Sequence, residues 1–130
     1  MILQDRSGQG RPEAWARAVA ESFEAFDADS VVAEANQGGD MVRAVLQAEH
    51  PCLPVRLVHA SRGKRARAEP VAALYAAGRV RHAGRMTKLE DQMCSFGSAD
   101  FTGSPDRVDA LVWAVSALAG RGREPRIRWV

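Results

Sequence analysis

Two acidic segments stand far apart in this chain. Ser30-Val-Val-Ala-Glu34 reads as a short strand that ends on a carboxylate, and Ser104-Pro-Asp-Arg-Val-Asp109 as a helix start with two carboxylates in its first turn. Hard divalent cations take oxygen ligands, and Mg²⁺ is usually held by one or two carboxylates together with substrate phosphates. Glu34, Asp106 and Asp109 are therefore candidate catalytic groups, with Glu34 and Asp109 the candidate metal ligands, and the chemistry they suggest is that of phosphodiesters.

Each acid also has a blander explanation. First-turn acids are favoured by the helix macrodipole, and a carboxylate after a strand can cap the next helix, although Asp40 fits that role better. Asp106 and Asp109 lie three apart and share a helix face. Asp106 is expected toward solvent and Asp109 beside the apolar stripe of Val108, Leu111, Val112, Val115 and Leu118, where it can meet Glu34 across a shared metal. The combination, rather than either segment, points to a site.

Other chemistries find little support. Cys52 and Cys94 have no CxxC or Cys/His spacing, so they are expected to be reduced, mostly buried thiols. His50, His59 and His82 are isolated, without the i, i+4 pairing of a zinc helix. Ser61-Arg-Gly-Lys64 lacks both the upstream glycine and the trailing Ser/Thr of an ATP-binding loop. Lys64, Arg65 and Arg67, placed after a strand, can still meet DNA phosphates.

The elements that must position these residues alternate between strands and helices. Met1-Ile-Leu-Gln4 is a short strand candidate, and Pro12 opens a helix with Trp15, Ala18, Val19, Ser22, Phe23 and Phe26 on one stripe. Ser30–Glu34 has the unbroken apolar character of a strand covered on both faces. A helix from Gly39 to Glu49 with Met41, Val45 and Leu46 inward, and a strand over 55–59, come next. A third helix ends near Ala77, with Gly78 as its cap; Pro70 places its start near Glu69. An edge strand over 79–82, a helix over 87–96 and a last helix from Pro105 to Gly120, capped by Ser104, complete the pattern. Alternation of this kind predicts an α/β fold with a mainly parallel central sheet flanked by helices.

At 130 residues the chain is long enough for one core, read here as a single domain over 1–120 and a basic tail over 121–130. Its net charge of +2 is small, but the cations are grouped: Arg62, Lys64, Arg65 and Arg67; then Arg79, Arg81, Arg85 and Lys88 around His82; then Arg121, Arg123, Arg126 and Arg128. A single group of this kind is commonly a solvated face, whereas their clustering is what suits a polyanion. No apolar run reaches the roughly 20 residues of a membrane helix, and the N-terminus has no signal pattern, so a cytoplasmic protein is expected.

Five segments in order, Val31-Val-Ala-Glu-Ala-Asn-Gln-Gly-Gly-Asp-Met-Val42, Ala60–Tyr75, Gly78-Arg-Val80, Leu89-Glu-Asp-Gln-Met93 and Ser104–Trp113, together resemble the C-terminal nuclease domain of the large terminase subunit of tailed phages and prophages. The resemblance implies a ribonuclease H-like fold that cuts double-stranded DNA during genome packaging with two Mg²⁺ or Mn²⁺ ions, one activating water and one stabilising the leaving oxygen. It assigns Glu34 to the acid after the central strand and Asp109 to the acid of the last helix, with Asp106 assisting and Lys64, Arg65 and Arg67 near the DNA. A portal and a small terminase subunit are the partners it implies.

The family pattern also has an ATPase motor and a first nuclease strand with another aspartate ahead of the segment that starts here at Met1. The expectation is therefore a fold lacking the family's first strands, impaired in cleavage, with an open sheet edge that invites a homodimer or that Met1–Asp5 fills. The alternative is a non-catalytic DNA-binding or assembly module, a prophage remnant.

Overall fold

The computed structural model describes residues 1–35 and 39–121, so most of the third basic group and of the basic tail lies outside the described residues. The chain forms two compact units, Arg6–Arg62 and Met1–Asp5 with Gly63–Val130.

The first unit holds helix α1 (Pro12–Ala25), strand β1 (Val31–Glu34), helix α2 (Gly39–Glu49) and strand β2 (Val55–Val58). Pro12 sits in the first turn of α1, where its fixed φ suits a helix and its missing N–H removes nothing. The helix stops on Asp27, whose φ of 46° is left-handed. The Ala28 N–H reaches the Phe23 carbonyl and the Asp27 N–H that of Glu24, a Schellman closure made without glycine. Strands β1 and β2 pair in parallel, Val31 opposite Val55 through Glu34 opposite Val58. Ala16, Leu46 and Leu53 form the core, with Trp15, Val19, Phe23, Val42 and Val45 packed around it. Met41, expected inward, is exposed: the buried face of α2 passes through Val42, Val45 and Leu46.

Gly39 explains how α2 can follow β1 so closely. A methyl group there would stand 2.6 Å from Ala35 Cβ and 3.0 Å from Leu57 Cδ1. Only a residue without Cβ fits, because Ala35 has no side-chain torsion to move its Cβ aside.

The second unit contains helices α3 (Lys64–Ala76), α4 (Thr87–Ser95) and α5 (Asp106–Arg121). Val71, Leu89, Val108, Leu111, Val112 and Val115 are its core. Gly78, with φ 68°, closes α3 as expected: its own N–H reaches the Tyr75 carbonyl and the Arg79 N–H that of Leu74.

Four expectations change here. Helix α3 runs from Lys64 straight through Pro70 rather than starting near Glu69; its inward face is held by Val71 packing on α5, which offsets the hydrogen bond that proline removes. Among the described residues the expected strands at Met1–Gln4 and 79–82 reduce to one parallel bridge, Ile2 with His82. Both cysteines are exposed rather than buried. Leu118 is also exposed, because the core of α5 stops at Val115.

Candidate functional site

Asp109 is the one polar or charged residue among those buried in the described core, at 9% exposure. The turn of α5 that carries it is fixed from two sides. Its own N–H donates to the Pro105 carbonyl at 2.8 Å, and the Val108 N–H donates to Gln92 Oε1 of α4 at 3.0 Å. Gln92 thus supplies the side-chain cap that the sequence placed on Ser104; the Ser104 hydroxyl instead donates to the Asp106 carboxylate, and Asp106 is exposed.

Helix α3 faces this turn with cations. Lys64 Nζ lies 2.6 Å from Asp109 Oδ2, and Arg67 Nη2 lies 3.4 Å from Oδ1. Residues 64 and 67 are three apart and share a helix face, so one carboxylate can meet both. Arg67 also stacks on Trp113, its guanidinium carbon 4.7 Å from the ring centroid. Trp113 is four residues beyond Asp109, again on the same face. Arg65, one position along α3, turns elsewhere and donates to the Gly97 carbonyl at 2.9 Å.

The first turn of α3 contains no acid, and its three cations stand at the end where the helix dipole is already positive. That is the reverse of the usual charge preference. The buried Asp109 carboxylate is what compensates Lys64 and Arg67, and the result is a concentrated positive edge around one acid.

Asp5 lies in the same unit and accepts from Arg107 Nε at 3.0 Å, tying the N-terminal segment to α5. His82 joins two further elements: its Nε2 is 2.7 Å from Tyr75 Oη and its Nδ1 is 3.0 Å from Glu90 Oε1. The Met86 N–H also donates to Glu90, and these two bonds hold that carboxyl below its ordinary range. Burial, and then the Glu90 charge, push the Tyr75 hydroxyl up. In the second basic group, Arg85 and Lys88 border a groove of about 350 Å³ with Leu3, Gln4 and Asp5.

Glu34 ends β1 in the other unit, opposite Val58 and half-buried, at the carboxyl end of the parallel pair where ligands of α/β sheets collect.

The structure thus brings together Asp109, Lys64 and Arg67 of the sequence candidates, while Arg65 and Asp106 have separate partners. Sequence reading missed Trp113, Gln92 and the Asp5–Arg107 pair; the spacing of Trp113 from Asp109 was the only local signal for any of them.

A divalent ion would need oxygens that are open to it. In this arrangement both Asp109 oxygens face protein cations, and no group of three or more His, Cys, Asp or Glu clusters among the described residues. Asp109 by itself, as placed, does not fit the metal, although a carboxylate is the right kind of donor.

Among the described residues no helix is long and apolar enough to cross a membrane. No curated protein and no solved structure matches the chain. The family model of the terminase RNaseH-like domain matches residues 4–118, which include Glu34, all three cations of α3 and both acids of α5. With its mixed helices and small parallel sheet, this chain belongs to the terminase RNaseH-like domain family.

Proposed function

We propose that this protein is the DNA-cutting domain of a phage-type terminase, acting on double-stranded DNA during genome packaging with Mg²⁺ or Mn²⁺ as its metal. The family match over residues 4–118 carries the reading. Glu34 and Asp109 are the acids on which cleavage depends, with Asp106 in an assisting role. Lys64, Arg65 and Arg67 contact DNA phosphates, the first two from exposed positions and Arg67 from a half-buried one beside Asp109. The proposal extends to a ribonuclease H-like fold and to a portal and small terminase subunit as partners.

One observation favours a second reading, a non-catalytic DNA-binding or assembly module: the carboxylate of Asp109 is already neutralised by two cations. Nicking of supercoiled plasmid in Mn²⁺, Mg²⁺ and EDTA separates the two. Metal-dependent nicking abolished by Glu34→Ala and by Asp109→Ala is the expected result. A folded chain that binds DNA in a salt-sensitive way yet never cuts it would establish the second reading instead.

A further inference from the structure

The groove of about 350 Å³ between residues 3–5 and 84–88 lies within one compact unit, and its charge is one-sided. Arg85 and Lys88 border it from exposed positions, and neither forms a salt bridge among the described residues. Asp5, the acid that lines it, accepts from Arg107 Nε at 3.0 Å. Glu90 senses the Arg85 charge, but its Oε1 already accepts from the Met86 N–H and lies 3.0 Å from His82 Nδ1. The cations that open α3 differ, since Lys64 and Arg67 lie on Asp109 and Arg65 on the Gly97 carbonyl.

The groove is also partly apolar. Leu3 is 48% exposed and Met86 half-buried, and a methyl group at Gly84 would meet nothing within 4 Å. An apolar wall gains little against the outside of a duplex, where phosphates face outward and the bases are stacked inside. An unpaired strand offers both surfaces at once, phosphates to cations and sugar or base faces to apolar side chains. We propose that this groove takes an unpaired DNA strand, with phosphates on Arg85 and Lys88 and sugar and base faces on Leu3 and Met86. Gly84, without a side chain, lets the strand come close to the backbone, and the planar guanidinium of Arg85 can lie on a base as well as pair with a phosphate. Binding of this kind is tolerant of sequence, because every nucleotide carries a phosphate and every base a π-face. The inference goes beyond the nuclease reading and takes from it only DNA as the strand.

The test measures binding in EDTA, apart from any cleavage. The full chain is titrated, over a series of salt concentrations, into a fluorescent oligothymidylate of about 12 nucleotides, within the usual site sizes of single-strand binders, and anisotropy is followed. Arg85→Gln and Lys88→Gln should each weaken binding about tenfold, as expected when a hydrogen bond to a charged group is lost. Each should also make the dependence of log affinity on log salt shallower by about 0.7. Gly84→Leu fills the groove without changing charge, and its side chain enters open space, so it should fold as wild type by far-UV spectrum and thermal midpoint yet bind about tenfold more weakly. Arg11→Gln/Arg56→Gln removes two exposed cations from the other unit and should leave the affinity within about twofold. An unlabelled duplex of the same length should compete about tenfold less well than the single strand. Equal losses in the Arg11/Arg56 control, full binding by Gly84→Leu, or a duplex that competes as well as the single strand overturns the proposal. A chain that never nicks plasmid would sink the nuclease reading and leave this measurement intact, whereas binding untouched by the three groove variants would sink the groove whatever the nicking result.

Discussion

Arg67 lies over the Trp113 ring at 4.7 Å and at the same time reaches Asp109 Oδ1, so a single side chain of α3 engages two residues one turn apart on α5. Stacking holds the guanidinium plane, and the ion pair sets its direction. The contact joins α3 to the acid-bearing turn, beside the packing of Val71 on α5.

The strength of that contact is measurable in a double-mutant cycle of Arg67→Met and Trp113→Leu. Partly desolvated cation–π pairs contribute roughly 0.5–2 kcal/mol, so a coupling of about 1 kcal/mol is expected from urea unfolding of the four chains. A coupling indistinguishable from zero would reduce the stacking to mere proximity.

Gly39→Ala is expected to destabilise the α1/β1/α2/β2 unit by about 1–3 kcal/mol, the usual range for forcing extra atoms into a packed site. The new methyl would meet Ala35 Cβ at 2.6 Å, and neither atom can rotate away. Because Ala35 follows Glu34 directly, the strain should also displace the end of β1. Chemical denaturation gives the first effect, and amide exchange at Glu34 and Ala35 the second; an unchanged midpoint would show that the helix start yields at no cost.

Acid should weaken the fold through Glu90. Its carboxyl is held below the ordinary value of 4.5, first by the Met86 N–H and then by His82. A carboxylate whose folded-state value is depressed contributes stability that is fully present above the unfolded value and is lost as pH falls through the folded one. Wild type should therefore exceed Glu90→Gln in stability at neutral pH, and the gap should close as pH drops below 4.5. Urea midpoints for both chains down to about pH 3 test this; a gap that stays constant would remove Glu90 as the source.

Much of the chain's local structure was legible in its residues. Pro12 and Gly78 marked a helix start and a helix end because each has a backbone preference that acts without neighbours. The apolar run at Val31–Glu34 identified a strand of a parallel pair, and the spacing from Val108 to Val115 the buried face of α5. Even the acids Glu34 and Asp109 stood out, since a carboxylate beside an apolar stretch is a local anomaly.

Tertiary structure decided the rest, because the deciding forces act between residues distant in sequence. Pro70 stays inside α3 since Val71 packs on α5, a contact that no helix propensity contains. Among the described residues Met1–Gln4 makes a single bridge, at the His82 position, rather than a strand, and the cap of α5 comes from Gln92 on another helix. Lys64 and Arg67 were visible in the sequence as cations, but their partner was not. Only the fold set the carboxylate of Asp109, over 40 residues along the chain, against them, and so turned a basic helix start into the counter-charge of a buried acid.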